Sequence, residues 1–272
     1  MVQQSINYNK SIIHNAAIEP VQWLAPTSAS EKKLAQQVLA FQTTRISPNV
    51  ESQHHSKPYQ TFNLGLHVGD CPQKVQNNRR QLQKLLPENA KIQWLEQVHS
   101  SDVIEVKQVS ETALVADATV TQSKNTCLAI MTADCLPILL VSQSGNEIAA
   151  IHGGWRPLAA NIIANTLAKM KTPNAEVYAW LGPCIAKNAF EVGAEVKFEF
   201  TQQGNEFNTA FTTKGKGKYL ADLHQIARLQ LENLGITHIS ALPECTFSNT
   251  QKYYSYRKNS VTGRMATLIC IR

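Results

Sequence analysis

Residues 128–156 read LAIMTADCLPILLVSQSGNEIAAIHGGWR, and the fold turns on how the titratable side chains sit within them. Two apolar runs fit buried strands: Leu128 to Met131 with its continuation Leu136 to Val141, and Ile148 to Ile151. The first carries Asp134 and Cys135 in its middle. The second ends in His152, followed by Gly153 and Gly154. Burying such groups costs free energy unless they are hydrogen-bonded or bind something. They are either satisfied locally or they form a site.

Outward from this stretch, strand candidates come in runs: KIQWLEQV, DVIEVKQV, DATVTQ, EVYAWLG, HISAL and RMATLICI. Helices are interspersed without strict alternation, which favours α+β with mixed sheets over a Rossmann-like parallel sheet. SEKKLAQQVLAF predicts a helix capped by Ser30, with Leu34, Val38 and Phe41 on one face. DCPQKVQNNRRQLQKLL predicts another, with Val75, Leu82 and Leu85 or Leu86 aligned. RPLAANIIANTLAKM predicts a third, with Pro157 in its first turn, and ADLHQIARLQLENLG a fourth, ending at Gly235. No GxGxxG or Walker pattern supports a dinucleotide or P-loop function.

The 272 residues are 43% hydrophobic and 17% charged, an ordinary globular composition. The N-terminus lacks a basic segment followed by an apolar one, so no secretory signal is expected and the chain reads as cytoplasmic. No stretch approaches the roughly 20 apolar residues of a membrane span. The net charge of +6 suits an anionic partner. The basic residues are dispersed, which favours a small anion such as phosphate over nucleic acid. Six scattered cysteines read as free thiols or metal ligands. Residues 45–60, RISPNVESQHHSKPYQ, read as a long polar loop in which His54 and His55 are solvated.

Three residues at strand ends carry candidate chemistry: His99 in WLEQVHSSDV, Cys135 and His152. Their wide spacing is unlike a zinc finger. It suits a catalytic zinc site, where three ligands come from separate strands and one position stays open. Singly, each has a plainer reading: a core cysteine, or a histidine satisfied in its turn.

QVH, TADCLPILL and AAIHGGWR resemble three signature segments of the YfiH-like family, the laccase-domain or polyphenol-oxidase-like proteins. FQTTR, FNLGLHVGDCPQKVQNNRRQL, ADATVT, WLGPCI, FEVGAEV, GKYLADL, CTF, YYSYR and TGRMA follow in the family's order. The resemblance runs from about residue 38 to the C-terminus, with residues 1–37 as an N-terminal extension of one domain spanning 1–272. It implies a compact α+β fold of stacked mixed sheets flanked by helices, and metal ligands at His99, Cys135 and His152. It also implies a zinc-dependent purine nucleoside phosphorylase that takes adenosine, inosine, guanosine and methylthioadenosine, and that deaminates adenosine.

Zinc with an open position acts as a Lewis acid toward water, the chemistry of purine deaminases. The general acid or base that deamination needs is assigned to Asp134, although adjacent strand positions face opposite sides. Arg45, Arg156 and Arg257 are nominated to hold phosphate and Asn63 a sugar hydroxyl; Trp155 can stack on a purine or pack in the core. Compared with the family, RISPNVES replaces RGGVS, HGGWRP replaces HAGWRG, SYRK replaces SYRR, and Ser100 replaces a glycine. None removes a metal ligand, and the altered loop after Arg45 bears on substrate preference. Three rivals stand beside this reading: a metal-free hydrolase on the same residues, with Cys135 as nucleophile and a histidine as base, a peptidoglycan-precursor editing factor, and a copper polyphenol oxidase. The last lacks an array of histidines for several coppers. The chain is long enough to bury its own core as a monomer.

Overall fold

The two apolar runs on either side of Asp134 and Cys135 belong to different sheets. They are seen in a computed structural model that describes residues 16–23, 28–48 and 58–272. Strand Thr126–Thr132 lies in a five-stranded sheet whose spatial order is Ile18–Pro20, Val38–Thr43, Met265–Ile271, Thr126–Thr132, Lys91–Gln93. Strand Leu136–Ser142 lies in a six-stranded sheet ordered His238–Ala241, Val177–Leu181, Leu136–Ser142, Ile148–Gly153, Ala118–Thr121, Val103–Glu105. Residues 133–135 carry the chain from one sheet to the other. Asp134 and Cys135 therefore interrupt no strand; they form the crossing.

Both sheets are mixed. Lys91–Gln93 with Thr126–Thr132, Val177–Leu181 with His238–Ala241, and Val103–Glu105 with Ala118–Thr121 are parallel pairs among antiparallel ones. The alternation of side chains along each strand builds the layers. Leu128, Ile130, Leu139, Val141, Ile148 and Ile269 meet between the two sheets. On the outer face of the six-stranded sheet, Leu136, Ile138, Leu140 and Ile151 pack on helices Ile162–Lys169 and Leu223–Asn233. On the outer face of the five-stranded sheet, Cys127, Ala129 and Leu268 meet Leu82 of helix Pro72–Gln83. Each fully buried Leu or Ile in these layers contributes about 1.5–3 kcal/mol.

Several sequence expectations are corrected. The first helix spans Ala29–Gln37 and is capped by Ser28, not Ser30; the Ser28 hydroxyl accepts the Glu31 N–H at 3.0 Å. Val38 to Phe41 open strand Val38–Thr43 instead of extending that helix, because they pair with Met265–Ile271, and the same strand pairs through Phe41 to Thr43 with Ile18–Pro20 on its other side. The third helix is broken into Trp155–Ala159 and Ile162–Lys169 at Asn161, whose φ of +61° is left-handed. KIQWLEQV divides into Lys91–Gln93 and Leu95–Glu96. A three-stranded sheet of Glu191–Gly193, Lys218–Ala221 and Phe211–Gly215, with helix Ala194–Thr201, was not foreseen. His54 and His55 lie outside the described residues. Among those described, no helix is long and apolar enough to cross a membrane.

Candidate metal centre

Strand register brings Cys135 to His152. Leu136–Ser142 and Ile148–Gly153 pair antiparallel, with His152 opposite Pro137 and Gly153 opposite Leu136. One step beyond that last pair, Cys135 faces Gly154. A Cβ on Gly154 would lie 3.3 Å from the Cys135 sulfur and 3.2 Å from Cδ2 of His99. A Cβ on Gly153 would stand 2.7 Å from the Leu136 carbonyl oxygen. The double glycine after His152 thus answers to close approach of neighbouring groups.

His99 arrives from the turn before Val103–Glu105, which pairs with Ala118–Thr121, itself the neighbour of Ile148–Gly153. Asp117, fully buried just ahead of Ala118, ties the two histidines together. Its Oδ1 accepts from His152 Nδ1 at 2.7 Å and from the His99 N–H at 3.0 Å. Its Oδ2 accepts from the N–H groups of Val98 and Ser100, at 3.2 and 2.7 Å, and from the Ser100 hydroxyl at 3.1 Å. These bonds hold His99 at φ +60°, a left-handed conformation that non-glycine residues seldom adopt. An ionised carboxylate only accepts, so His152 carries a proton on Nδ1 and is left with Nε2 as its free ligand atom.

Ligand atoms of His99, Cys135 and His152 all lie within 4.8 Å of one another. Cys135 Sγ is 3.9 Å from His99 Nε2, and the two imidazoles meet edge to face with centroids 4.6 Å apart. Burial opposes ionisation of the Cys135 thiol, but His152 and His99 outweigh it and bring its pKa down to about 6. Burial likewise favours the neutral His152 ring, yet Cys135 and Asp117 raise its pKa to about 9. Burial also resists the Asp117 charge, and its bonds to His152, Ser100 and His99 still hold the carboxyl below the usual range. An ionisable thiol, two imidazoles and a carboxylate behind one of them fit a metal ion with one position left open. Among the described residues, this is the one group of three or more His, Cys, Asp and Glu side chains close enough to share an ion.

The trio opens on a cleft of about 580 Å³. Three arginines line it, each against an aromatic ring that also lines it. Arg156 lies 4.5 Å over Trp155, Arg257 5.3 Å over Phe190 and Arg264 5.8 Å over Tyr256. The Arg257 guanidinium also donates to the Glu191 carbonyl at 3.1 Å, so the unforeseen small sheet helps set its position. His67, Gln97 and Thr132 add to the polar lining. Burial, with Arg264 and Arg79 adding to it, lowers the His67 pKa and keeps the ring neutral at neutral pH.

Of the other nominated residues, Arg156, Arg257 and Asp134 reach the cleft. Arg45 and Asn63 do not line it. The Arg45 guanidinium donates to the Thr250 carbonyl and covers the Tyr254 ring at 4.7 Å. Asn63 is fully buried; its Oδ1 accepts from Gly65 and Arg264 N–H groups, and its Nδ2 donates to Asp70. The Asp134 carboxylate accepts from the Thr246 hydroxyl at 2.7 Å, the Ser255 hydroxyl at 3.0 Å and the Arg257 N–H at 2.6 Å. Its backbone is left-handed, with φ +98°. Trp155 is half-buried, packs against the core and also lines the cleft. Sequence reasoning missed Asp117, His67 and Arg264. Their signal lay in the segments ADATVT, NLGLHVGD and TGRMA, whose charged residues had been given no task.

Stacked mixed sheets with a cysteine and two histidines converging at the ends of central strands define an α+β protein with a candidate three-ligand metal centre. Comparison with known proteins places it more narrowly. Residues 41–272 match the family described as multi-copper polyphenol oxidoreductase laccase, and the chain belongs to that family. Relatives from Shigella flexneri and Escherichia coli K12, both named purine nucleoside phosphorylase YfiH, are each 41% identical over 212 residues. These residues make up 78% of this chain and 87% of each relative. The crystal structure of Neisseria meningitidis protein NMB0706 is 37% identical and superposes with a TM-score of 0.84, covering 94% of this chain and 99% of that one.

Proposed function

We propose that the chain is a zinc-dependent purine nucleoside phosphorylase that also deaminates adenosine, with adenosine, inosine, guanosine and methylthioadenosine as substrates. One observation carries this reading: a single cleft joins the His99–Cys135–His152 donor set to three arginine–aromatic pairs. The relatives named purine nucleoside phosphorylase support it further. One thiolate and two imidazoles suit zinc, whereas a multi-copper centre calls for many more histidines than meet here. Zinc, when bound, supplies Lewis acidity.

The chain's own residues supply the rest. Arg156, Arg257 and Arg264 bring fixed positive charge to phosphate, and guanidinium forks match its oxygens. Trp155, Phe190 and Tyr256 offer faces on which a purine can stack. Asp134, with both oxygens occupied by donors, is better suited to positioning Cys135 than to exchanging protons. Neutral His67 is the stronger candidate to take up a proton in the cleft. Phosphorolysis then breaks the bond between base and sugar and forms ribose 1-phosphate; deamination exchanges ammonia for water and yields inosine.

A second reading rests on one specific observation. A thiol with its pKa near 6 beside two imidazoles is also what a cysteine nucleophile needs. The test is product chromatography with adenosine, with and without phosphate, before and after chelation. We expect adenine and ribose 1-phosphate only with phosphate, inosine in both samples, and neither after the metal is removed. Turnover that survives chelation but not alkylation supports the cysteine hydrolase. No turnover in zinc-loaded protein rejects both nucleoside activities.

A further inference from the structure

Two of the cysteines outside the metal centre are placed side by side. Cys184 and Cys245 form an isolated parallel bridge, directly opposite each other. The Cys184 N–H donates to the Glu244 carbonyl at 3.3 Å, and the Thr246 N–H donates to the Cys184 carbonyl at 3.0 Å, so the pairing is fixed on both sides. Directly paired residues on adjoining strands lie within about 4.4–6.8 Å at Cα, the range a disulfide spans. The Cys245 sulfur accepts the Ala186 N–H at 3.3 Å, and the Cys184 sulfur contacts the Ile185 carbonyl at 3.5 Å. The two sulfurs therefore flank the Ile185–Ala186 peptide, Cys184 at its carbonyl oxygen and Cys245 at its N–H.

The two thiols differ in access. Cys245 is half-buried, whereas Cys184 is 2% exposed. Neither cysteine lines the neighbouring cleft of about 480 Å³, but Ile185, Ala186 and His224, which touch the two sulfurs, do. The contrast is with Cys127 and Cys270, which also face each other across paired strands but are both fully buried in the five-stranded sheet.

We propose that Cys184 and Cys245 form a reversible peroxide-sensitive disulfide, with Cys245 the attacking and Cys184 the resolving cysteine. The Cys245 thiolate attacks one oxygen of a hydroperoxide; its S–O bond forms as the O–O bond breaks, and the second oxygen leaves as alcohol or water after taking a proton. The Cys184 sulfur then displaces hydroxide from the Cys245 sulfenic acid, and the Cys184 proton leaves with it as water. Two thiols lose two electrons and the peroxide gains them. Hydrogen bonds from backbone groups favour the charged form of Cys245 against the opposing effect of burial. The new bond joins covalently the two segments that hold Asp134 from behind, since Ile185 donates to its carbonyl at 2.9 Å and Thr246 to its carboxylate at 2.7 Å.

The test is peptide mapping by mass spectrometry of the intact, metal-loaded chain after treatment with a small excess of hydrogen peroxide, without and then with a thiol reductant. We expect the peptides carrying Cys184 and Cys245 to be linked with loss of two hydrogens, and to separate on reduction, while Cys127 and Cys270 stay free. In Cys184→Ser protein, Cys245 should be trapped as a sulfenic acid by dimedone. Cys184 and Cys245 both recovered as free thiols, Cys245 overoxidised beside a free Cys184, or linkage to any other cysteine would overturn the proposal. The mapping of the unsubstituted chain decides it even if the serine variant fails to fold.

Discussion

His152 Nδ1 and Asp117 Oδ1 are 2.7 Å apart, and that same oxygen accepts the backbone N–H of His99. One buried carboxylate thus orients His152 through its ring and His99 through its backbone. Replacing Asp117 with Asn removes the charge and offers a donor where the site needs acceptors. Metal affinity should fall by roughly 10–100-fold, as with other outer-shell partners. Competition with a chromophoric chelator measures this, and unchanged affinity would show that Asp117 serves the fold alone.

The Cys135 thiol gives a pH signature. Its pKa is depressed to about 6, so the thiolate is present above that pH and is lost as pH falls through it. In metal-stripped protein, iodoacetamide should label Cys135 at an almost constant rate from pH 8 down to about 7, and more slowly below about 6. The exposed Cys71 serves as the internal comparison. Metal loading should protect Cys135 and leave Cys71 reactive. Site-resolved mass spectrometry reads both rates; a Cys135 profile rising only above pH 8 would contradict the pairing with the imidazoles.

Gly153 and Gly154 should fail in different ways. Alanine at Gly153 drives a methyl against the Leu136 carbonyl in the strand pairing itself. The expected cost is about 1–3 kcal/mol, which lowers Tm by about 2–4 °C for each kcal/mol in a chain of this size. Alanine at Gly154 meets His99 and Cys135 instead, so metal affinity should drop more than Tm does. Calorimetry and metal titration of the two variants separate these effects. Equal losses in both would mean that the glycines serve one purpose.

Arg156 stands at the cleft with its guanidinium over Trp155. Deleting it as Arg156→Ala removes charge-assisted bonds to phosphate, worth about 1.5–3 kcal/mol. The phosphate KM should rise by about 10–100-fold, with a smaller effect on deamination, which uses no phosphate. Initial rates across a phosphate series measure the difference. Equal loss of both activities with metal retained would count against a phosphate role.

The grouping of His99, Cys135 and His152 was legible because each stands near a strand end beside a turn. Its geometry was less legible. Residues 128–141 look like one apolar run with a flaw, since periodicity is blind to a chain that leaves one sheet and enters another. Val38 to Phe41 looked helical because a three- and four-residue spacing of apolar groups also suits a strand buried on both faces. Arg45 and Asn63 were nominated on residue type, and the fold uses both to hold loops. Asp117 went unassigned since nothing local in ADATVT reveals that its carboxylate faces a turn 18 residues earlier and a strand 35 residues later.

The proton acceptor in deamination separates two residues of the cleft. Asp134 Oδ1 accepts from Thr246, while Oδ2 accepts from Ser255 and from the Arg257 N–H. In Asp134→Asn the amide oxygen can keep the Oδ2 partners, and its NH2 can donate to a Thr246 hydroxyl that turns to accept. If Asp134 positions Cys135, this variant should lower the rate without changing the shape of its pH profile. His67 has no such set of donors, and its lowered pKa leaves it unprotonated above the usual histidine range. A base of that kind loses activity as pH falls through its pKa, so the unsubstituted chain should show an acidic limb below about pH 6.5, the ordinary histidine value. His67→Gln should abolish that limb and reduce deamination by about 10²–10⁴-fold. The opposite pattern, with the limb lost in Asp134→Asn and kept in His67→Gln, would return the proton transfer to Asp134.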